Sequence, residues 1–149
     1  MIIVVGHGAS LLDKGLGRYI DSHTVIRPNK TGELYTEKFP RDYGSSTDVL
    51  FDRKTAELQD WETRFQGLGP SHKKLSSGTK AVIWALRKYR QPILLIAFDN
   101  IVAGRQENYT HPENHPKARY RWEHDALRER QLIRMASQDY GPVFVVGEL

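Results

Sequence analysis

Two turns rich in glycine and serine, together with one histidine, are the parts of this sequence whose residue types could do chemistry. The first turn contains Gly6, His7, Gly8 and Ser10, and it directly follows a run of four β-branched residues. Both glycines can take positive φ and let a ligand approach the backbone, and Ser10 can cap the helical turn that follows. This pattern is typical of a phosphate-binding strand–loop–helix unit and predicts a nucleotide site. Because Leu11 replaces the third glycine of the dinucleotide fingerprint, NAD is not the predicted ligand.

The second turn, Ser76, Ser77 and Gly78, opens an apolar helix. Either serine can cap this helix, whose first N–H groups and positive dipole end favour an anion. Asp99 and Asn100 follow an apolar strand, where they are suited to binding ribose or sugar hydroxyls. Turn formation is an equally good explanation of these two residues.

His124 is the candidate general base, because an imidazole takes up and releases a proton near neutral pH. The alternative is that His124 caps a helix or lies in a loop. Glu129 falls among Leu132, Ile133 and Ala136 on the apolar stripe of a predicted helix, where a carboxylate needs hydrogen-bond donors. We therefore expect Glu129 to be buried, to accept N–H or hydroxyl donors and to anchor the helix that presents His124. The alternative is a boundary residue that reaches solvent.

His111 and His115 could be read as a metal pair, but Pro112 and Pro116 prevent a helix and no third ligand is evident. No metal site is therefore predicted. The same stretch contains aromatic and basic residues that could stack on a sugar or a base, or pack at the surface. These residues are Tyr109, Arg119, Tyr120, Arg121 and Trp122.

Length and composition predict one domain over residues 1–149, since 39% hydrophobic residues are enough for one core. The sequence has no apolar run of transmembrane length, no signal-peptide pattern and no cysteine. A cytoplasmic protein without a membrane partner is therefore expected. The net charge of +4 favours anionic ligands, but the basic residues are spread out and form no block of the nucleic-acid type.

Strands and helices alternate along the chain. We predict strands at residues 2–5, 24–27, 47–51, 93–98 and 142–146, a short helix near Leu16, and helices at 56–65, 76–89 and 125–137. Residues 28–46 and 99–123 are predicted to be long loops. This order predicts a single Rossmann-like α/β domain, with a mostly parallel sheet of about five or more strands and helices on both faces. Ligands of such sheets bind beyond the carboxyl ends of the strands, which is where residues 6–10, 28–29 and 99–100 all fall.

Several of these segments, in chain order, resemble the motifs of the sialyltransferase family that includes the animal enzymes. Residues 4–11 (VVGHGASL), 15–17 (GLG), 20–23 (IDSH) and 25–29 (VIRPN) resemble its large donor-binding motif, and residues 44–50 (GSSTDVL) the segment after it. Ser76-Ser77-Gly78, leading to Ala97-Phe98, resembles the small motif. His124 with Glu129 five residues later has the spacing of the very small motif.

The resemblance implies a metal-independent, inverting transfer of sialic acid from CMP-sialic acid to a hydroxyl of a glycan or other acceptor, without a cofactor. By position it places His7, Gly8 and Asn29 at the nucleotide and phosphate. It implies that His124 is the general base. Ser76, Ser77 and Gly78 would offer hydroxyl and N–H groups to the donor.

The sequence departs from the family at two functional positions. His7 replaces the usual asparagine, and Asn108-Tyr109 stands where the third motif begins with a histidine that assists the leaving phosphate. Either His111 or His115 assists the leaving phosphate instead, or the leaving group is less well stabilised. The two cysteines that join the large and small motifs in the animal enzymes are also absent.

Two other functions stay open at this point. A non-catalytic nucleotide or nucleotide-sugar binding module would bind nucleotide without turnover. A basic nucleic-acid-binding protein, which the spread of charge disfavours, would show an affinity that falls steeply with salt.

Overall fold

The computed structural model describes residues 1–52, 55–69, 74–104 and 124–146. Five strands lie in this part of the chain: β1 (Ile2–Val5), β2 (Thr24–Arg27), β3 (Val49–Leu50), β4 (Ile93–Ile96) and β5 (Val143–Val145). They form one parallel sheet in the order β3-β2-β1-β4-β5. The predicted parallel α/β architecture is confirmed.

The helices cover both faces of this sheet. They are α1 (Gly17–Asp21), α2 (Lys30–Lys38), α3 (Pro40–Tyr43), α4 (Gln59–Gly67), α5 (Ser77–Tyr89), α6 (Asp99–Ala103) and α7 (Ala126–Tyr140). Short 3-10 helices occur at Ala9–Leu11 and Thr55–Leu58. Within the ranges that the structure describes, no helix is long and apolar enough to cross a membrane.

The central strand β1 is buried on both sides because its side chains alternate between two hydrophobic clusters. Ile2 and Val4 belong to the cluster that contains the apolar side chains of α5 and α7. Ile3 and Val5 belong to a second cluster with side chains from α1, α2 and α3. This burial explains why the run of β-branched residues shows no alternation of polar and apolar positions.

The prediction of a long loop at residues 28–46 was wrong, since α2 and α3 occupy most of it. Tyr35, Phe39 and Tyr43 are spaced four residues apart, and their rings pack together with centroids 5.2 to 6.2 Å apart. This aromatic period is a helical signal that lies among charged residues. Packing of the rings on the sheet, rather than local propensity, stabilises these two helices.

Three other predicted bounds were also wrong. Residues 99–103 form α6 instead of the start of a loop, and residues 105–123 lie outside the described residues. The third strand is shorter than predicted. The fourth strand ends at Ile96, because Ala97 has a φ of 62°, in the left-handed region that interrupts an extended chain.

The order of the strands places the candidate site. From β1 the chain goes to β2 on one side, and the later strand β4 pairs on the other side of β1. Successive strands are therefore added on one side of β1 and then on the other, and ligands of such sheets bind outside the carboxyl ends of the two strands where this switch occurs, β1 and β4. Both candidate turns lie beside this switch.

Candidate active site

The turn after β1 is closed by the turn after β4. The N–H of Gly6 donates to Ile96 O at 2.8 Å, and the N–H of Gly8 donates to Ala97 O at 2.8 Å. A Cβ on Gly6 would overlap the Ala97 carbonyl oxygen, and a Cβ on Gly8 would overlap the carboxylate of Asp99. These glycines are needed because two chain segments approach closely.

Neither glycine uses the positive φ that the sequence analysis considered. Gly8 has a φ of −66°, and the φ of Gly6 also lies outside the left-handed region. The expected cap by Ser10 was wrong, since the 3-10 helix begins after Gly8 without a side-chain cap. Ser10 instead donates from its N–H to Asp99 Oδ2 at 2.9 Å and from Oγ to Oδ1 at 2.5 Å.

Asp99 thus has a structural function that the sequence did not reveal. Its carboxylate joins the turn after β1 to the first position of α6. Binding of ribose by Asp99 stays a prediction. A ligand there would share a carboxylate that already accepts two hydrogen bonds from Ser10.

His7 and Asn29 lie on the α2 side of the site. His7 is 8% exposed, and its ring packs edge-on against Tyr35 with centroids 5.0 Å apart. A Cβ on Gly32 would lie 3.3 Å from His7 Nε2, so the imidazole faces the first turn of α2. Asn29 caps that helix, because its Oδ1 accepts the Gly32 N–H at 3.4 Å. The structure therefore brings these two predicted donor-site residues to the same helix end.

Arg27 lies at the end of β2, among the apolar residues of that strand. It is 1% exposed, and its guanidinium donates to the carbonyl oxygens of Tyr43 and Ser46 and to Thr47 Oγ1 at 2.8 to 3.1 Å. Burial lowers the pKa of Arg27 to about 10, while the negative charges of Asp21 and Glu33 oppose the shift. The sequence signal for this buried guanidinium is a charged residue at the end of an apolar strand.

Asp21 holds the loop that surrounds Arg27. Its carboxylate accepts the N–H groups of Ser45 and Ser46 and the Ser45 hydroxyl at 2.8 to 3.0 Å. Burial raises the pKa of Asp21, but these hydrogen bonds outweigh burial and leave the pKa below its usual value. The segment at residues 44–50 is thus fixed from two sides.

The start of α5 is fixed by α7. Ser76 is the cap of α5, since its Oγ accepts the Thr79 N–H at 3.3 Å, and its own N–H donates to Glu129 Oε1 at 2.5 Å. Glu129 is 3% exposed, which confirms the expected buried carboxylate with an N–H donor and excludes the solvent-facing alternative. Ser77 and Gly78 are the first two positions of α5, where N–H groups have no acceptor within the helix.

Burial raises the pKa of Glu129 above its ordinary value. Hydrogen bonds from Ser76 and Thr79 and the charge of His124 oppose this shift without cancelling it. The Glu129 carboxyl group therefore interacts with the start of α5 through hydrogen bonds and with His124 through its charge.

His124 immediately precedes Asp125, the residue that caps α7 by accepting the Arg128 N–H at 3.1 Å. The alternative that His124 is the cap was therefore wrong. The Nδ1 atom of His124 lies 2.7 Å from the Lys74 carbonyl oxygen. Because a carbonyl oxygen only accepts, Nδ1 must be the protonated nitrogen, and Nε2 is the proton-accepting nitrogen of the neutral ring.

The two candidate turns meet at Phe98. A Cβ on Gly6 would lie 3.1 Å from Phe98 Cδ2, and a Cβ on Gly78 would lie 3.1 Å from Phe98 Cε1. The structure thus brings the turn after β1, the start of α5 and, through Glu129, the start of α7 to one end of the sheet. His111, His115 and Asn108 lie outside the described residues.

A 290 Å³ pocket lies between α4 and the start of α5. Its lining residues are Gln59, Glu62, Thr63, Phe65, Gln66, Lys74, Leu75 and Lys80. None of the predicted site residues lines it. Within the described ranges, no group of three or more histidines and carboxylates is placed to hold a metal ion.

Comparison with known proteins adds no further assignment to this geometry. No protein-family model, no curated protein and no solved structure matches the chain. The resemblance to the sialyltransferases accordingly stays a prediction from the residues quoted above.

Proposed function

We propose that the chain is a sialyltransferase-like glycosyltransferase, which transfers sialic acid from CMP-sialic acid to an acceptor hydroxyl with inversion and without a metal ion. The order of the sequence segments that resemble the family supports this proposal. The observation that carries it is the 2.7 Å hydrogen bond from His124 Nδ1 to the Lys74 carbonyl oxygen. This bond makes Nε2 the basic nitrogen, and it joins His124 to Lys74, which is two residues before the cap of α5.

In the proposed reaction, His124 Nε2 takes the proton of the acceptor hydroxyl while its oxygen bonds to the anomeric carbon of sialic acid. The bond from that carbon to the phosphate oxygen breaks, and its electron pair leaves with CMP. A single displacement inverts the anomeric configuration. Because the leaving group is already a phosphate, the step depends more on the base than on an acid.

Glu129 would act as a positioning residue in this reaction. It holds the N–H of Ser76 at the start of α5, and it lies on α7, five residues after His124. Its carboxylate also attracts the positive charge that His124 gains on accepting a proton. The two helix starts are thereby kept in one arrangement while the proton moves.

The donor phosphate is assigned to the starts of α5 and α2. The N–H groups of Gly6, Gly8 and Ser10 donate to the protein itself, so they contribute less to an anion site than the sequence predicted. Helix starts supply N–H groups and a positive dipole end, which favour a phosphate. Asn29 and Ser76 cap these two helices.

Calorimetric titration with CMP in the presence of EDTA tests the binding part of the proposal, with UMP, AMP and GMP as comparison ligands. We expect saturable binding that is tightest for CMP and independent of added magnesium. Equal affinity for all four nucleotides, or a strict requirement for magnesium, would contradict the donor assignment. Release of CMP from CMP-sialic acid in the presence of acceptor sugars tests the transfer.

The second candidate function is a non-catalytic nucleotide-binding module. The observation that favours it is the closed turn after β1, whose N–H groups are bonded to Ala97 and Asp99 instead of being directed at a ligand. Binding of CMP without hydrolysis or transfer, across a panel of acceptors, would establish this function in place of the transferase.

A further inference from the structure

The turn at Ala97, Phe98 and Asp99 has a strained backbone. Ala97 has a φ of 62°, in the left-handed region that is unfavourable for a residue with a Cβ. Strain of this kind persists only where the surrounding contacts hold the chain in place, and it is often found at functional sites. The contacts of the three residues therefore indicate what the turn is for.

Two of the three residues attach the turn to the chain after β1. Ala97 O accepts the Gly8 N–H at 2.8 Å, and the Asp99 carboxylate accepts the N–H and hydroxyl of Ser10. These hydrogen bonds fix the position of Phe98 between them. The chain is thus held on both sides of Phe98 by the turn after β1.

The ring of Phe98 lies between two glycines from different parts of the chain. The position of a Cβ on Gly6 is 3.1 Å from Cδ2, and that of a Cβ on Gly78 is 3.1 Å from Cε1. Cδ2 and Cε1 are opposite atoms of one aromatic ring, so the ring separates the two backbones by its own width. The side chain is 7% exposed, which leaves it little room to move away.

We propose that Phe98 is a positioning residue of the donor site, whose ring sets the separation between the turn after β1 and the start of α5. This role rests on the proposed function, because it matters only if the start of α5 contacts the donor nucleotide. A shorter side chain lets the start of α5 shift toward Gly6, and the N–H groups of Ser77 and Gly78 lose their alignment with the ligand. Small misplacements of binding groups have large effects on affinity and rate.

A purely structural role predicts a different result. Phe98 belongs to the larger hydrophobic cluster, so truncation lowers stability in either case. If packing were its only contribution, the folded fraction of each variant would bind CMP as tightly as the wild type. Nucleotide affinity of the folded protein is therefore the measurement that separates the two roles.

The experiment measures the Kd for CMP by calorimetry, well below the melting temperature of each variant. We expect Phe98→Leu to weaken binding by roughly fivefold and Phe98→Ala by more than about tenfold, because both remove ring width. Phe98→Met keeps most of the side-chain volume and should bind CMP nearly as tightly as the wild type. Phe65→Leu is the matched control, since Phe65 is 1% exposed in the same cluster but lies in α4, and it should change the Kd by less than about twofold.

A double-mutant cycle locates the effect at the ring. The atom nearest to a methyl group on Gly78 would be Phe98 Cε1, a side-chain atom, so the effect of Gly78→Ala on CMP affinity should shrink in the Phe98→Leu background. Gly6→Ala overlaps the backbone oxygen of Ala97, so Phe98→Leu should not relieve it. Additive effects of Gly78→Ala and Phe98→Leu on affinity would overturn the proposal.

The two possible failures are distinguishable. If the wild type binds CMP and the folded Phe98 variants bind it equally well, the role of Phe98 is refuted while the proposed function stands. If the wild type does not bind CMP, the proposed function and the role of Phe98 are refuted together. An increased KM for CMP-sialic acid in Phe98→Leu, with an unchanged KM for the acceptor, would support the role independently.

Discussion

Two turns at the same end of the sheet contain glycine and serine, yet they use their backbone groups differently. In the turn after β1, the N–H groups of Gly6, Gly8 and Ser10 donate to β4 and to the turn that follows it. At the start of α5, Ser77 and Gly78 occupy helix positions whose N–H groups have no intrahelical acceptor. The first turn is closed by the protein, and the second is held from outside by Glu129.

This difference shows that a glycine-rich turn is not by itself an anion site. A glycine is required wherever another chain segment approaches closely, whether that segment is a ligand or the protein itself. At Gly8 the approaching group is the carboxylate of Asp99. The chemistry of the site is therefore expected on the side of α5 and α7.

The largest expected effect is on the α5 and α7 side. His124→Ala should lower the rate of sialic acid transfer by roughly 10²–10⁴, which is the usual contribution of a positioned base. The Kd for CMP should stay within about threefold, because only the transition state uses the base. Initial rates and calorimetry measure the two effects.

His23→Ala is the matched control for this variant, since His23 lies in the exposed connection between α1 and β2. It should leave both quantities unchanged. His111→Ala and His115→Ala complete the series, and whichever residue assists the leaving phosphate should lose both turnover and nucleotide affinity. Full transferase activity in His124→Ala would refute the assignment of His124 as the base. The chemistry could then no longer be placed on the side of α5 and α7.

The closed state of the first turn predicts the next effect. Gly8→Ala forces a methyl group into the space of the Asp99 carboxylate, and we expect unfolding free energy to fall by about 1–3 kcal/mol. Gly67→Ala, where a Cβ would meet no atom within 4 Å, is the control and should not destabilise. Denaturant unfolding measures both. A Gly8→Ala variant of wild-type stability that no longer binds CMP would show that the turn is open to ligand after all.

Substitutions of Glu129 test whether its hydrogen bond to the Ser76 N–H anchors the start of α5. Glu129→Leu removes the acceptor of the buried Ser76 N–H and should cost about 1–3 kcal/mol, whereas Glu129→Gln keeps part of the hydrogen bonding. Denaturant unfolding of both variants beside the wild type measures the difference. Equal stability of the wild type and the Leu variant would mean that this hydrogen bond does not anchor the start of α5.

The stability of the wild type relative to Glu129→Gln should depend on pH, because the pKa of Glu129 is raised in the folded protein. The folded protein binds this proton more tightly than the unfolded chain, whose carboxyl has a pKa near 4.5. The stabilisation from the protonated carboxyl is fully present below that pH and is lost as the pH rises through the folded pKa. The stability of the wild type relative to Glu129→Gln should therefore decline above pH 4.5. A difference that stays constant with pH would contradict this linkage.

The smallest effect on stability is expected at Asn29, on the α2 side. Asn29→Ala removes the cap of α2 and should cost about 0.5–2 kcal/mol of stability, while Asn29→Asp keeps a capping oxygen. If the amide also contacts the donor, both variants should weaken CMP binding, by roughly 1–3 kcal/mol where a buried hydrogen bond is lost. Unchanged CMP affinity in both variants would leave Asn29 with capping alone.

The local parts of the fold were predictable because their signals lie within a few residues. The buried run at Ile2–Val5 predicted β1, and Ser76 ahead of an apolar stripe predicted the start of α5. The helix Lys30–Lys38 was missed, since its aromatic period continues into α3 and is hidden among charged residues. The burial of Glu129 was predicted because its apolar neighbours on the helical wheel are local as well.

The sequence by itself determined the order of the strands, the parallel sheet, the start of α5 and the candidacy of His124 as a base. Only the tertiary structure decided which groups those residues meet. Ser10 and Asp99 are 89 residues apart in the chain, and His124 and Lys74 are 50 residues apart. Such partners are chosen by the packing of the sheet and helices, because the hydrogen bonds that close one turn and orient one imidazole join segments that no local pattern relates.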